Sequence, residues 1–317
     1  MADHRIDASP KTVRWGTFDA ACPPLITIAS GESVTLQCVS GGPGAMPPAG
    51  SGMEIPPALK AIHAEVRQGP GHILTGPVAV AGAMPGDMLE VTIEKIEFGA
   101  DWGFCGFRPL SGTLPDDFTE PFMTHIPVDR ERRTCRLSYG VELPLLPFFG
   151  VMGVAPRPEF GTISTVQPRA HGGNLDNKEL GEGATLFLPV WAPGALFSAG
   201  DGHGVQGDGE VCINALEMCL TGTFKLTLHK QQGDTPALVY PRGETATHYI
   251  SMGMNEDLDQ AMRIALREMI AFITQRSNLS RQEAYQFCSL AVDFHVTQTV
   301  NGEKGVHGLL KKGLLFP

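Results

Sequence analysis

Along the first half of the chain, apolar residues recur in short alternating runs closed by Gly, Pro or Asp, the punctuation of strands and turns rather than of helices. Ile26–Ile28, Ser33–Cys38, 77–80 and 88–96 carry this pattern and are expected to be strands. Between them, 41–57 reads GGPGAMPPAGSGMEIPP, too dense in Gly and Pro to hold regular structure, and is expected to be a mobile lid, a cover from a neighbouring subunit or a disordered surface excursion. After Phe148-Phe149-Gly150 the chain becomes glycine-dense around polar residues. There 162–167 alternates as a strand and is broken by His171-Gly-Gly-Asn-Leu-Asp176; 185–191 and 195–199 follow as strands, with a polar loop beyond the second. Two polar loops thus leave consecutive strand systems and converge if those strands pair.

A further strand at 223–229 precedes the one long helical signal. Leu258, Met262, Ala265, Leu266, Met269 and Ile273 share a face at helical spacing, with Asn255 as the expected N-cap and Glu256, Asp257 and Asp259 favouring the positive end of the dipole; the run ends near Arg276. Ser280 with Glu283 has the capping-box spacing of a second, short helix, followed by a strand at 292–300 and a hairpin turn at Asn301-Gly302. The pattern predicts a β-rich α/β fold: mixed sheets or a sandwich-like β core, with a long and a short helix toward the C-terminal end. A β-rich region 1–150 and an α/β region 151–317 carrying the polar loops are read as one integrated fold.

Chemistry concentrates in Asp201-Gly-His-Gly-Val-Gln-Gly-Asp-Gly-Glu210, which puts three carboxylates, one imidazole and one carboxamide among four glycines. Glycines at this density let a backbone take positive φ and approach a small ligand, so the segment is expected to be an active-site loop lying outside the core. Composition narrows the partners. A chain of 317 residues with 42% hydrophobic content builds a core without disulfides. Its net charge of −10, with Lys and Arg scattered, disfavours nucleic acid and anionic membranes, and the expected partner is small and neutral or cationic. The N-terminal residues lack an apolar signal core, and no stretch of about 18 apolar residues occurs. Seven widely spaced cysteines (Cys22, Cys38, Cys105, Cys135, Cys212, Cys219, Cys288) fit reduced thiols, which with the missing signal suggests a cytoplasmic protein.

Several segments in order resemble the acetamidase/formamidase family: Leu74-Thr-Gly-Pro77, Gly86-Asp-Met-Leu-Glu90, Asp101-Trp-Gly103, His171-Gly-Gly-Asn-Leu-Asp176, Gly183-Ala-Thr-Leu-Phe-Leu-Pro189, the loop 200–210, Ser289-Leu-Ala-Val-Asp293 and Lys304-Gly-Val-His307. The two polar loops together are the specific part. The resemblance covers 13–311 and implies hydrolysis of formamide, acetamide or similar small amides to the acid and ammonia, in a β-rich α/β fold, as a homo-oligomer, with metal-ion binding. The run after Arg14-Trp15 and the insertion 41–57 depart from the family pattern, which puts the substrate in question.

Amide hydrolysis needs a polarised carbonyl oxygen, an activated nucleophile and a proton for the leaving nitrogen. A substrate this small offers almost no remote binding energy, so those groups must lie close to the reacting carbon. In a metal-assisted site His203, Asp201 and Asp176 would hold a divalent cation, zinc or calcium, and Glu210 or Asp208 would act as general base. Asn174, Gln206 and His171 would bind the amide. Asp201 and His203 serve together only if their segment curls, since alternate strand residues sit roughly 6 to 7 Å apart. Cys212 is a weaker candidate nucleophile, with no lysine near it, and Ser198 lacks a nucleophile-elbow pattern. His72 could line the pocket and His307 could support the site from behind, but both are by default structural histidines. Two other readings stand beside the small-amide hydrolase: a hydrolase of larger or cyclic amides, and a non-catalytic, metal-dependent small-ligand-binding protein.

Overall fold

The computed structural model describes residues 4–233 and 237–316. Alternating runs such as Met88–Phe98 bury every second residue along most of their length, and that periodicity assembles two main sheets. A nine-stranded sheet runs in the order His4–Ile6, Ser33–Cys38, Leu220–His229, Met88–Phe98, Thr185–Pro189, Arg242–Glu244, His248–Asn255, Lys304–Lys311, Val292–Gln298. A six-stranded sheet runs Gly172–Asn174, Phe148–Gly153, Phe197–His203, Ile73–Val80, Val13–Trp15, with Ile26–Ile28 added parallel to Ile73–Val80. The inner faces meet in one core, where Phe224 of the larger sheet packs edge-on against Phe149 and Phe197 of the smaller at 5.3 and 5.4 Å between ring centroids. The sandwich-like, β-rich expectation holds. Strands from 1–150 and from 151–317 alternate within both sheets.

Helix α1 (Pro57–Glu65) is absent from the sequence expectations. Pro57 opens it at a position where no amide partner is needed, and Leu59 and Ile62 are its buried face. The Gly/Pro-rich stretch before it is tied down rather than loose: the Trp102 indole donates to the Glu54 carbonyl at 2.8 Å, and ring nitrogens of His63 and His125 contact the Gly41 and Ala45 carbonyls at 3.0 Å each. Helix α2 (Leu258–Arg276) ends where expected but is capped by Asp257, whose carboxylate accepts from the Gln260 amide. Asn255, the expected cap, belongs to the preceding strand. Strand residue Gly253 lets α2 approach closely, because a Cβ there would stand 2.2 Å from the Ala261 carbonyl oxygen. Helix α3 (Arg281–Ala291) carries the expected capping box of Ser280 and Glu283. Among the described residues no helix is long and apolar enough to cross a membrane.

The expectation that the polar loop lies outside the core is overturned. Asp201, Gly202 and His203 end the strand Phe197–His203, of which every residue is buried. Cβ atoms at Gly200, Gly202 and Gly204 would lie 2.3 Å from the Ile73 carbonyl oxygen, 2.5 Å from the Met218 carbonyl oxygen and 2.6 Å from the Met218 sulfur. The glycines therefore serve close strand packing, which draws the intervening polar residues inside. Likewise His171-Gly-Gly-Asn174 adds a three-residue edge strand, Gly172–Asn174, to the sheet, and the expected strand 162–167 shrinks to Ile163–Ser164.

Candidate active site

Strands Phe148–Gly153 and Phe197–His203 lie side by side, with Gly172–Asn174 on the far edge of the first. This order delivers Asp176, just past the edge strand, and Asp201 and His203, at the end of the central one, to a single point beside Gly150. A Cβ on Gly150 would stand 2.6 Å from Asp176 Oδ1, 2.6 Å from Asp201 Oδ2 and 2.8 Å from the His203 ring. Only a glycine at 150 leaves room for these polar groups to crowd together at this point.

Two sets of ligating groups share His203: Asp176, His203 and Glu210, and Asp201, His203 and Glu217, each set with one donor atom per residue within 4.8 Å of the others. All five residues are buried. Asp201 and His203 do meet, with His203 Nε2 at 3.2 Å from Asp201 Oδ2 and 3.4 Å from Glu217 Oε1, neither aligned as a hydrogen bond. Asp176, Asp201 and Glu210 all hold left-handed backbones, with φ of 48°, 56° and 44°. Such conformations are uncommon for residues with side chains and cost energy, so their concentration at one point marks a site whose surroundings enforce them.

Surrounding amides fix the orientation. Gln206 donates from Nε2 to the Asp176 carbonyl at 2.8 Å, which turns its Oε1 toward His203 Nδ1 at 3.0 Å; His203 therefore carries a proton on Nδ1 and aims Nε2 at the carboxylates. Gln298 and Asn301 donate to Asp176 Oδ2 at 3.0 and 3.2 Å. On the opposite side His72 donates from Nδ1 to the Thr165 carbonyl at 3.2 Å and holds Nε2 at 3.6 Å from Asp201 Oδ2.

Crowding acids around one imidazole disturbs their proton affinities. Burial, reinforced by the charge of Glu210, raises the Asp176 carboxyl well above the usual range. Burial pushes Glu210 up to about 8, with His203 opposing and Glu217 and Asp201 reinforcing. Glu217 also moves up, through burial first. For His203 burial favours the neutral ring, but Glu217 and Asp201 overcome it and hold the imidazole far above its ordinary value. Burial likewise opposes ionisation of Asp201, and the imidazoles of His72 and His203 reverse that, keeping it below the usual range. The centre therefore retains protons, or a cation in their place, to balance its charge.

Among the residues singled out in the sequence, Asp176, Asp201, His203, Gln206 and Glu210 come together. Asn174 stands at the margin: its side chain donates to the Val166 carbonyl at 3.0 Å, and its own carbonyl accepts from Gln298 at 2.8 Å. His171 belongs to neither ligating set and packs edge-on against Phe18, its centroid 4.9 Å away. Asp208 turns elsewhere, to Lys178 at 2.9 Å and His295 at 3.3 Å. The Cys212 thiol lies 3.7 Å from that of Cys105 and is pulled down to about 6, chiefly by the hydrogen bond from Cys105. Gly150, Glu217, Gln298 and Asn301 were not anticipated, although Glu217 is the one acid inside the otherwise apolar run 215–220.

A β-sandwich with a buried, carboxylate-rich centre on one imidazole is the class that this fold and site define. A model of the Acetamidase/Formamidase family matches residues 7–164 and 159–306, and the chain belongs to that family. It is 30% identical to an acetamidase of Mycolicibacterium smegmatis over 49% of this chain and 52% of the relative. The chain thus spans about half the length of the curated relatives it matches. Crystal structures of acetamidases from Bacillus halodurans and Yersinia enterocolitica superpose with TM-scores of 0.81 and 0.85 at 31% and 28% identity, covering 96% and 99% of this chain and 97% and 93% of theirs.

Proposed function

We propose that the chain is an amidase hydrolysing small linear amides such as formamide and acetamide to the carboxylic acid and ammonia. The observation that carries this reading is the Asp176 and Glu210 carboxyl pair, both raised in proton affinity, gathered with His203 where Asp176 packs against Gly150. Two such carboxyls share a proton, so one is ionised and the other is an acid at the same pH. Glu210, in the fraction of molecules in which it is ionised, takes the proton of the attacking water; Asp176, as acid, supplies the proton with which the nitrogen leaves. Collapse of the adduct then yields the acid and ammonia. Gln298 and Asn301 keep Asp176 oriented, and Gln206, committed at both ends, positions His203 rather than binding substrate.

The donor set fits a divalent cation. Among the described residues His203 Nε2 is buried without a hydrogen-bond partner, 3.2 Å from Asp201 Oδ2 and 3.4 Å from Glu217 Oε1, and these three residues would hold the ion, leaving Asp176 and Glu210 for proton transfer. An imidazole among carboxylates favours zinc over calcium. Such an ion would supply charge to polarise the amide carbonyl. The seven free cysteines support a reducing, cytoplasmic setting.

Ammonia release from formamide, acetamide, propionamide, urea and a five-membered lactam tests the proposal, with metal content measured before and after chelation. Turnover of the short linear amides is expected. Turnover of the lactam alone, or of none of the panel, would sink it.

A further inference from the structure

A second group of titratable side chains lies apart from the site described above. Asp208, His295 and His307 each offer a ligating atom, all within 4.8 Å of one another. The histidines face each other directly across the antiparallel pair Val292–Gln298 and Lys304–Lys311, their rings stacked at 5.3 Å and 11°. His307 is fully buried. Its Nδ1 is 2.7 Å from the Thr297 hydroxyl, while its Nε2 has no hydrogen-bond partner among the described residues. A hydroxyl fixing one nitrogen of a ring and leaving the other bare is how proteins hold an imidazole ready for a metal. Asp208 completes the group, with its Oδ2 at 3.3 Å from His295 Nδ1.

The geometry points to a second cation site, in which Asp208, His295 and His307 hold a divalent transition metal of the zinc type. Two imidazoles and one carboxylate are a nitrogen-rich set that selects zinc-like ions over calcium or magnesium, which require oxygen ligands. The metal's role here is a clip. Asp208 lies two residues before Glu210, and the Gly209 amide already donates to the Thr297 carbonyl at 3.0 Å while the Thr299 amide donates to the Gly209 carbonyl at 2.9 Å. A metal at this point fastens the segment that carries Glu210 to the C-terminal hairpin. Lys178, with its ammonium 2.9 Å from Asp208 Oδ2 and its side chain 33% exposed, occupies the cation's place and can swing into solvent when the metal enters.

The test uses the full chain, stripped by chelation and titrated with zinc, with bound metal counted by equilibrium dialysis and elemental analysis. His295 is the variant of choice, because its side chain is 40% exposed and its loss spares the core. His295→Ala is expected to bind one equivalent fewer than the wild type while matching its circular dichroism and its metal-free melting temperature. Thr297→Val should weaken the same equivalent ~10- to 100-fold, the usual effect of removing a group that orients a ligand. Lys178→Met should bind it more tightly, a gain that damaged folding would not produce. Equal stoichiometry and affinity in the wild type and His295→Ala, or weaker binding in Lys178→Met, would overturn the proposal.

Discussion

Asp208 and Glu210 are two residues apart and of the same chemical type, yet they serve different regions of the molecule. Asp208, with its side chain 27% exposed, pairs with a lysine and a histidine at the hairpin. Glu210, 5% exposed, turns inward to join Asp176 and His203, and its proton affinity rises to about 8 through burial first. Left-handed backbones at Gly209 and Glu210, φ 98° and 44°, make the reversal between them. In the outer group the Lys178 ammonium balances the carboxylate, and the result is an ion pair. In the inner group acids outnumber imidazoles, and the result is stored protons, the property that proton-transfer chemistry requires.

The largest effect that separates the two regions is on turnover. Glu210→Gln keeps size and hydrogen bonding but removes the exchangeable proton, so kcat for formamide is expected to fall ~10²- to 10⁴-fold. Asp208→Asn, two residues away, should leave kcat within a few-fold, since it touches none of the inner groups. Ammonia release under substrate saturation checks both, and a comparable loss in the two variants would erase the distinction. Gly150→Ala comes next. A methyl group there would stand 2.6 Å from two carboxylate oxygens and push them aside, and the displacement of reacting groups should reduce kcat/KM by ~10²-fold. Zinc binding at the outer group should survive that change. A Gly150→Ala protein with wild-type activity would mean that substrate binds elsewhere.

How much of this was legible in the sequence depends on which force decided each feature. Helix α3 and the end of α2 were read correctly because capping and periodicity are local. Helix α1 escaped because Leu59 and Ile62 are a short apolar face adjoining a Gly/Pro-rich run that dominated the reading. The polar motif was located correctly, but its burial was not foreseen. Alternating glycines read equally as a flexible loop or as a strand whose neighbours press close, and only the neighbouring Ile73 and Met218 backbones decide between them. Glu217 and Gly150 were invisible for a related reason: each is remote in sequence from the residues it serves, and sheet register alone brings them together.

The smallest effect is on stability, and there Glu210 of the inner region and His307 of the outer act in opposite directions with pH. Glu210 holds its proton up to about 8 when folded, against an ordinary value of 4.5. Between those values the unfolded chain is ionised and the folded chain is not, so the folded state binds more protons and stability falls as pH rises, with the full penalty present above the folded value. His307 behaves in reverse: burial first, opposed by Asp208, lowers it from 6.5 to about 4, so in that window the unfolded chain binds more protons and stability falls as pH drops. His171, lowered by burial to about 3, adds to the same acid limb. Urea unfolding of metal-free protein across this range should therefore show an optimum. Glu210→Gln, which cannot ionise, should flatten the alkaline limb and leave the acid limb in place. An unchanged alkaline slope in that variant would mean that Glu210 is not the group holding the proton, and the role of acid and base would pass to Asp176 and Glu217.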